Sequence, residues 1–225
     1  MTFLGTIGAV LPLGLAAALS TVPIAVVITL LLSQRATANG IAYLVGQFVG
    51  VIALTLALGS GLSLLPNRQS VAHDTLAGAV EILIGATLVV YGTVGALRRR
   101  KTPSEVSQRW LRRLHTIPPR AALGFGLLLN VRPKALLLVI AAGLAIAGGD
   151  LSVTETVISS LVYAVLATSI VAGTVIAHLA RPIPTARWLE NARTWLGAHG
   201  QLIAMIVSIL IGVVLIGNGL GRIAQ

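Results

Sequence analysis

Apolar and polar residues fall in blocks along this chain. Six apolar runs, 5–32, 38–65, 76–97, 121–148, 154–180 and 201–220, are separated by short polar stretches. Each reaches the roughly 20 residues that cross a hydrocarbon core of about 30 Å as a helix. The pattern predicts an all-α integral membrane protein with six transmembrane helices. Runs one and four are too long for a plain crossing, since a straight helix over 3–32 would measure about 45 Å. Pro12 and Pro23 in the first, and Pro133 in the fourth, predict breaks. A proline removes one helical hydrogen bond and clashes with the preceding turn. Helices 1 and 4 are therefore expected to be broken, at Pro23 and Pro133.

The two broken runs occupy matching places in two halves. With Pro23 set on Pro133, Leu19-Ser20-Thr21-Val22-Pro23 falls on Leu129-Asn130-Val131-Arg132-Pro133. Runs three and six also match: residues 83–92 fall on 210–219, with five of the ten positions identical. Three spans per half is an odd number, so the halves must insert with opposite topology. The expected organisation is a first three-helix repeat over 1–97, a basic linker over 98–120 and a second three-helix repeat over 121–225. Inverted repeats with interrupted spans in matching places are the signature of transporters whose site lies between the repeats. Gly46-x-x-x-Gly50 and Gly217-x-x-x-Gly221 have the small-residue spacing of close helix packing, within the chain or across a homodimer.

Charge sets the orientation. Hydrophobic residues make up 56% of the chain and charged ones 10%, with a net charge of +10. Arg98, Arg99, Arg100, Lys101, Arg109, Arg112, Arg113 and Arg120 lie between runs three and four. Loops rich in Lys and Arg stay cytoplasmic. The 98–120 loop is thus expected inside, with both termini outside, in the cell (inner or plasma) membrane. The basic excess reads as orientation and lipid contact, not nucleic-acid binding. There is no cysteine, and the four histidines, His73, His115, His178 and His199, have no metal-ligand spacing. No metal or cofactor is expected. No nucleophile or nucleotide-binding motif is present either, so the chain is not expected to be an enzyme.

The chemistry concentrates in run four. Arg132 lies about 16 Å into that run, near the midplane, with Lys134 just beyond it. A cation at that depth costs at least ~2.5–3.5 kcal/mol. Arg132, Lys134 and the half-helix start at Pro133 suit an oxyanion. Alternatively, one cation pairs internally and the other snorkels. Glu81, the one acidic residue inside a run, is a counter-ion for Arg132, a proton-coupling carboxylate, or a group reaching the outer headgroups. Asn130, Ser20 and Thr21 bond either a substrate or the carbonyls freed by the breaks. His178, near the cytoplasmic end of run five, reads as interfacial. Two stretches have the pattern of amphipathic helices lying on the membrane. One is 104–116, with Val106, Trp110, Leu111 and Leu114 on a face. The other is 186–199, with Trp188, Leu189, Ala192, Trp195 and Leu196.

Ser20-x-x-Pro23-Ile24, together with Asn130-x-Arg132-Pro133-Lys134 and its leucine run, resembles the GAP-like family. That family includes the glycopeptidolipid-addressing and sulfolipid-addressing (Sap) proteins of the LysE transporter superfamily. The resemblance spans nearly the whole chain. It implies a transporter or flippase-like protein that moves cell-envelope glycolipids or anionic lipid precursors toward the surface. Its partners would be membrane lipids, an anionic lipid or glycolipid substrate and lipid-synthesis or export machinery. The superfamily's exporters of small amino acids or ions are an alternative. They carry a Pro-Gly-Pro type break in the first helix, from which Thr21-Val22-Pro23 departs. A non-transporting scaffold of a lipid-export machine is a third reading, and it predicts no cavity around Arg132.

Overall fold

The computed structural model describes residues 2–63, 71–97, 116–149 and 151–223. All regular structure among them is helical. The helices are α1 Phe3–Ala18, α2 Thr21–Leu31, α3 Ala36–Ser63, α4 Val71–Leu97, α5 Pro119–Leu128, α6 Pro133–Ala147, α7 Val153–Ala180 and α8 Pro182–Ile223. A 3-10 turn, Leu129–Val131, joins α5 to α6. Three stretches are long and apolar enough to cross a membrane: Ala36–Gly61, Val153–Ala180 and Ala198–Gly221. Two bent pairs raise the number to five: α1 with α2 at 49°, and Pro119–Val131 with α6 at 68°. α4 adds a shorter apolar stretch, Gly78–Val94.

Both bends lie just before their prolines. α1 ends at Ala18, Ser20 is the N-cap of α2, and Pro23 is its third residue. Arg132 is the N-cap of α6 and Pro133 its first residue. The first turn of a helix has no internal partner for its N–H groups, so a proline there costs no bond. The sequence alignment therefore shifts by two residues: by cap position Ser20, not Val22, corresponds to Arg132. Pro12 makes no break. α1 runs through it, and the turns on either side bury Val10 and Leu13 in the core.

The last helix also departs from expectation. The stretch 186–199 is not a separate surface helix but part of the 42-residue α8. Nothing between Pro184 and Gly197 interrupts the helical backbone. Its apolar residues divide between two faces. Leu189 is fully buried and Ala192 packs on the core, whereas Trp188 and Trp195 are exposed. The Trp195 ring stacks on His199 at 5.0 Å. The companion stretch 104–116 lies, up to residue 115, outside the described residues, as do the basic residues 98–113.

Packing crosses between the halves. α5 lies along α3, α1 lies along α7, and α4 pairs with α8. The α4–α8 contact is reciprocal. A methyl group on Gly85 would lie 2.5 Å from the Gly212 carbonyl oxygen, and one on Gly212 would lie 2.5 Å from that of Gly85. On either side, Gly92 faces Met205 and Ile209, while Gly219 faces Gly78 and Ile82. The two helices thus run antiparallel with their backbones in contact. Gly46 and Gly50 likewise let α3 approach Leu123 and Leu127 of α5 and Asn130 of the turn. Gly217 and Gly221 instead have nothing within 4 Å among the described residues, so no packing of that second motif is seen there. Two apolar clusters result. One gathers Val10, Leu138, Ile146, Tyr163 and Leu215; the other gathers Val27, Leu30, Tyr43, Val171 and Leu189.

Candidate functional site

At the bend between α5 and α6, polar side chains donate to backbone carbonyls of the bend and of its neighbour. Asn130, in the 3-10 turn and 5% exposed, donates through Nδ2 to Gly126 O at 3.0 Å and to Gln47 O at 3.2 Å. One amide thus ties the turn to α5 and to the neighbouring α3. Arg132 donates from Nε to Leu129 O at 3.0 Å. That bond occupies one of five guanidinium donors and fixes the plane of the fork.

Arg132 and Ser20 are the N-caps of the second half-helix in each bent pair, and both have extended backbones (φ −68, ψ 147 and φ −69, ψ 118). Neither side chain caps its own helix. Leu136 N bonds Arg132 O at 2.8 Å, but the N–H groups of Lys134 and Ala135 precede the first helical bond. Two helix N-termini therefore add partial positive charge to the side-chain cations.

These residues meet in one cavity. Ala17, Ser20 and Pro23 line it together with Arg132, Lys134 and Leu138. Gln47 and Val51 of α3, with Tyr163 and Ala167 of α7, close the sides. The space open to the centre of a water molecule is about 30 Å³, enough for about two waters. Lys134 Nζ and Gln47 Oε1 are buried there without a hydrogen-bond partner among the described residues. No carboxylate is among the lining residues. Uncompensated buried cations are costly, and an oxyanion would satisfy them.

Of the residues expected at the site, Ser20, Pro23, Asn130, Arg132 and Lys134 line this cavity, and Pro133 sets the cap geometry. Thr21 does not line it. One residue beyond the cap, its methyl is turned toward Gly200 of α8. Glu81 is also elsewhere. It is 3% exposed and lines a second cavity with Ala9, Leu13, Ala141, Ala145 and Asn218, none of them shared with the first. His178, in the last turn of α7, is buried against the protein at 7% exposure. Gln47, Tyr163 and Asn218 are additional lining residues. The signal for Gln47 was an amide isolated within the apolar run 38–65. No group of three or more potential metal ligands occurs among the described residues.

No curated protein and no solved structure matches the chain. The family model described as Sap, sulfolipid-1-addressing protein, matches residues 10–221. That span takes in both bends, the residues of the cationic cavity and the α4–α8 contact, so the chain belongs to the sulfolipid-1-addressing (Sap) protein family.

Proposed function

We propose that this chain is a transporter or flippase-like protein that carries anionic lipid headgroups across the membrane, with the acyl chains left in the bilayer. The observation that carries the proposal is the cationic cavity between two uncapped half-helix starts, where Lys134 Nζ has no partner among the described residues and no carboxylate intrudes. Family membership supports a role in lipid localisation or export. Arg132 is the primary anion contact, Lys134 a second and mobile one, and Ser20 a hydroxyl partner. The proposal includes six spans in two inverted halves, with both termini outside. The antiparallel, reciprocal pairing of Gly85 with Gly212 supports that arrangement, because two helices related by a two-fold axis in the membrane plane must run in opposite directions. A cationic wall disfavours the ammonium group of an amino-acid substrate.

Reconstitution tests this directly. In liposomes, a labelled anionic lipid should cross at least about ten times faster than labelled phosphatidylcholine, since one charge-assisted hydrogen bond is worth roughly 1.5–3 kcal/mol. Equal rates for the two lipids would overturn the proposal. Exchange of free amino acid without any lipid movement would favour the exporter reading.

A further inference from the structure

Both cavities lie in one seam between α1 and α6. On α1, Ala9 and Leu13 line the Glu81 cavity and Ala17 lines the cationic one, joined there by Ser20 just past the end of the helix. On α6, Ala145 and Ala141 line the Glu81 cavity, and Leu138 and Lys134 line the cationic one. These residues recur every three or four positions, so each set occupies a single helix face. The order reverses between the two helices, which therefore run antiparallel along the seam. Lys134 and Ala145 are about 16 Å apart along α6. Leu13 and Leu138, 3% and 1% exposed, stand between the cavities. The outer rim of the second cavity carries exposed Val214 and Asn218, close to the end of the apolar stretch Ala198–Gly221.

We propose that the α1–α6 seam is a conduit for the anionic group. It runs from Arg132 and Lys134 past Leu13 and Leu138 to the second cavity, where Glu81 is a charge barrier at the exit. The geometry of the seam stands on helix packing; only the sign of the permeating charge rests on the lipid-headgroup reading above. Beyond Lys134 the lining positions of α1 and α6 are alanines apart from the two leucines, so a headgroup meets two apolar constrictions there and one carboxylate. α6 is common to both stations, so a tilt of this one helix about Arg132 alters both openings together.

The chain has no cysteine, which makes substituted-cysteine labelling direct. Ala17→Cys, Ala141→Cys and Ala145→Cys each add one small atom at the seam. Ala142→Cys, buried like its neighbours but lining neither cavity, is the reference. Reconstituted protein is treated with an anionic sulfonate methanethiosulfonate and with a neutral one of similar size. All three seam variants should react at least about ten times faster than Ala142→Cys. Adding Glu81→Gln should raise the anionic-to-neutral rate ratio at positions 141 and 145 by about tenfold, the size expected from removing one nearby charge in a partly screened site. Reaction at 141 and 145 no faster than at 142 would overturn the conduit. An unchanged ratio in Glu81→Gln would overturn the charge barrier. Lipid movement without seam labelling would leave the transport proposal standing and remove the conduit. Labelling without lipid movement would do the reverse.

Discussion

Replacing Arg132 with alanine is expected to slow anionic-lipid movement by roughly 10- to 150-fold while leaving the protein folded. The size follows from losing charge-assisted hydrogen bonds worth about 1.5–3 kcal/mol, at 1.4 kcal/mol per factor of ten. Folding should survive because Arg132 forms one bond to its own turn, to Leu129 O. The bonds that hold the bend to α3 come from Asn130. Removing a cation from membrane depth also eases insertion, by about 2.5–3.5 kcal/mol on insertion scales. Arg132→Lys should fall between wild type and alanine. It keeps the charge and loses both the fork and the fixed plane. The measurement is lipid movement in liposomes, with size-exclusion elution as the folding control. Wild-type movement in a monodisperse Arg132→Ala protein would remove Arg132 from the site.

The second large effect is structural. Gly126→Ala should lower stability by about 1–3 kcal/mol, the usual cost of overpacking. For a domain of this size that is a drop of roughly 2–12 °C in Tm. The added methyl would meet backbone atoms of α3: Tyr43 O, and Gln47 N at 2.6 Å. Backbone cannot step aside as a side chain can, so α5 must retreat from α3. The retreat stretches the Asn130 Nδ2 to Gln47 O bond at the edge of the cavity. Gly124, on another face of α5, has nothing within 4 Å among the described residues. Gly124→Ala should therefore be neutral or gain up to about 1 kcal/mol from helix propensity. Thermal unfolding of the two variants in detergent separates a packing effect from a loss of glycine as such. Equal Tm values would show that α5 and α3 are not in backbone contact.

The sequence carried the bends well and their register poorly. Pro133 pointed directly to the α6 start, because Arg132 immediately before it is the cap. Pro23 pointed to a bend that lies two to four residues upstream, since a proline is tolerated anywhere in the first helical turn. Pro12 looked alike in sequence and breaks nothing. Apolar periodicity also could not tell that α8 continues unbroken from Pro182. The stretch 186–199 is amphipathic, but its inner face packs on the chain rather than on lipid, as Leu189 shows. Arg132, Lys134 and Asn130 were legible because polar groups stand out in an apolar run. The separation of Glu81 from Arg132 was not, because it depends on which faces of α1 and α6 meet. That is a property of pairs of helices distant in the chain, and hydropathy along one strand of sequence does not contain it.

The back-to-back glycines of α4 and α8 carry a cost in time. Gly85 and Gly212 are about 130 residues apart in the chain. At roughly 5–20 residues per second, α8 emerges about 6–25 s after α4 has been made. Throughout that interval the bare stripe at Gly78, Gly85 and Gly92 faces lipid or whatever neighbour is at hand. A chaperone, or a second nascent chain offering its own α8, therefore has a window of seconds in which to occupy it.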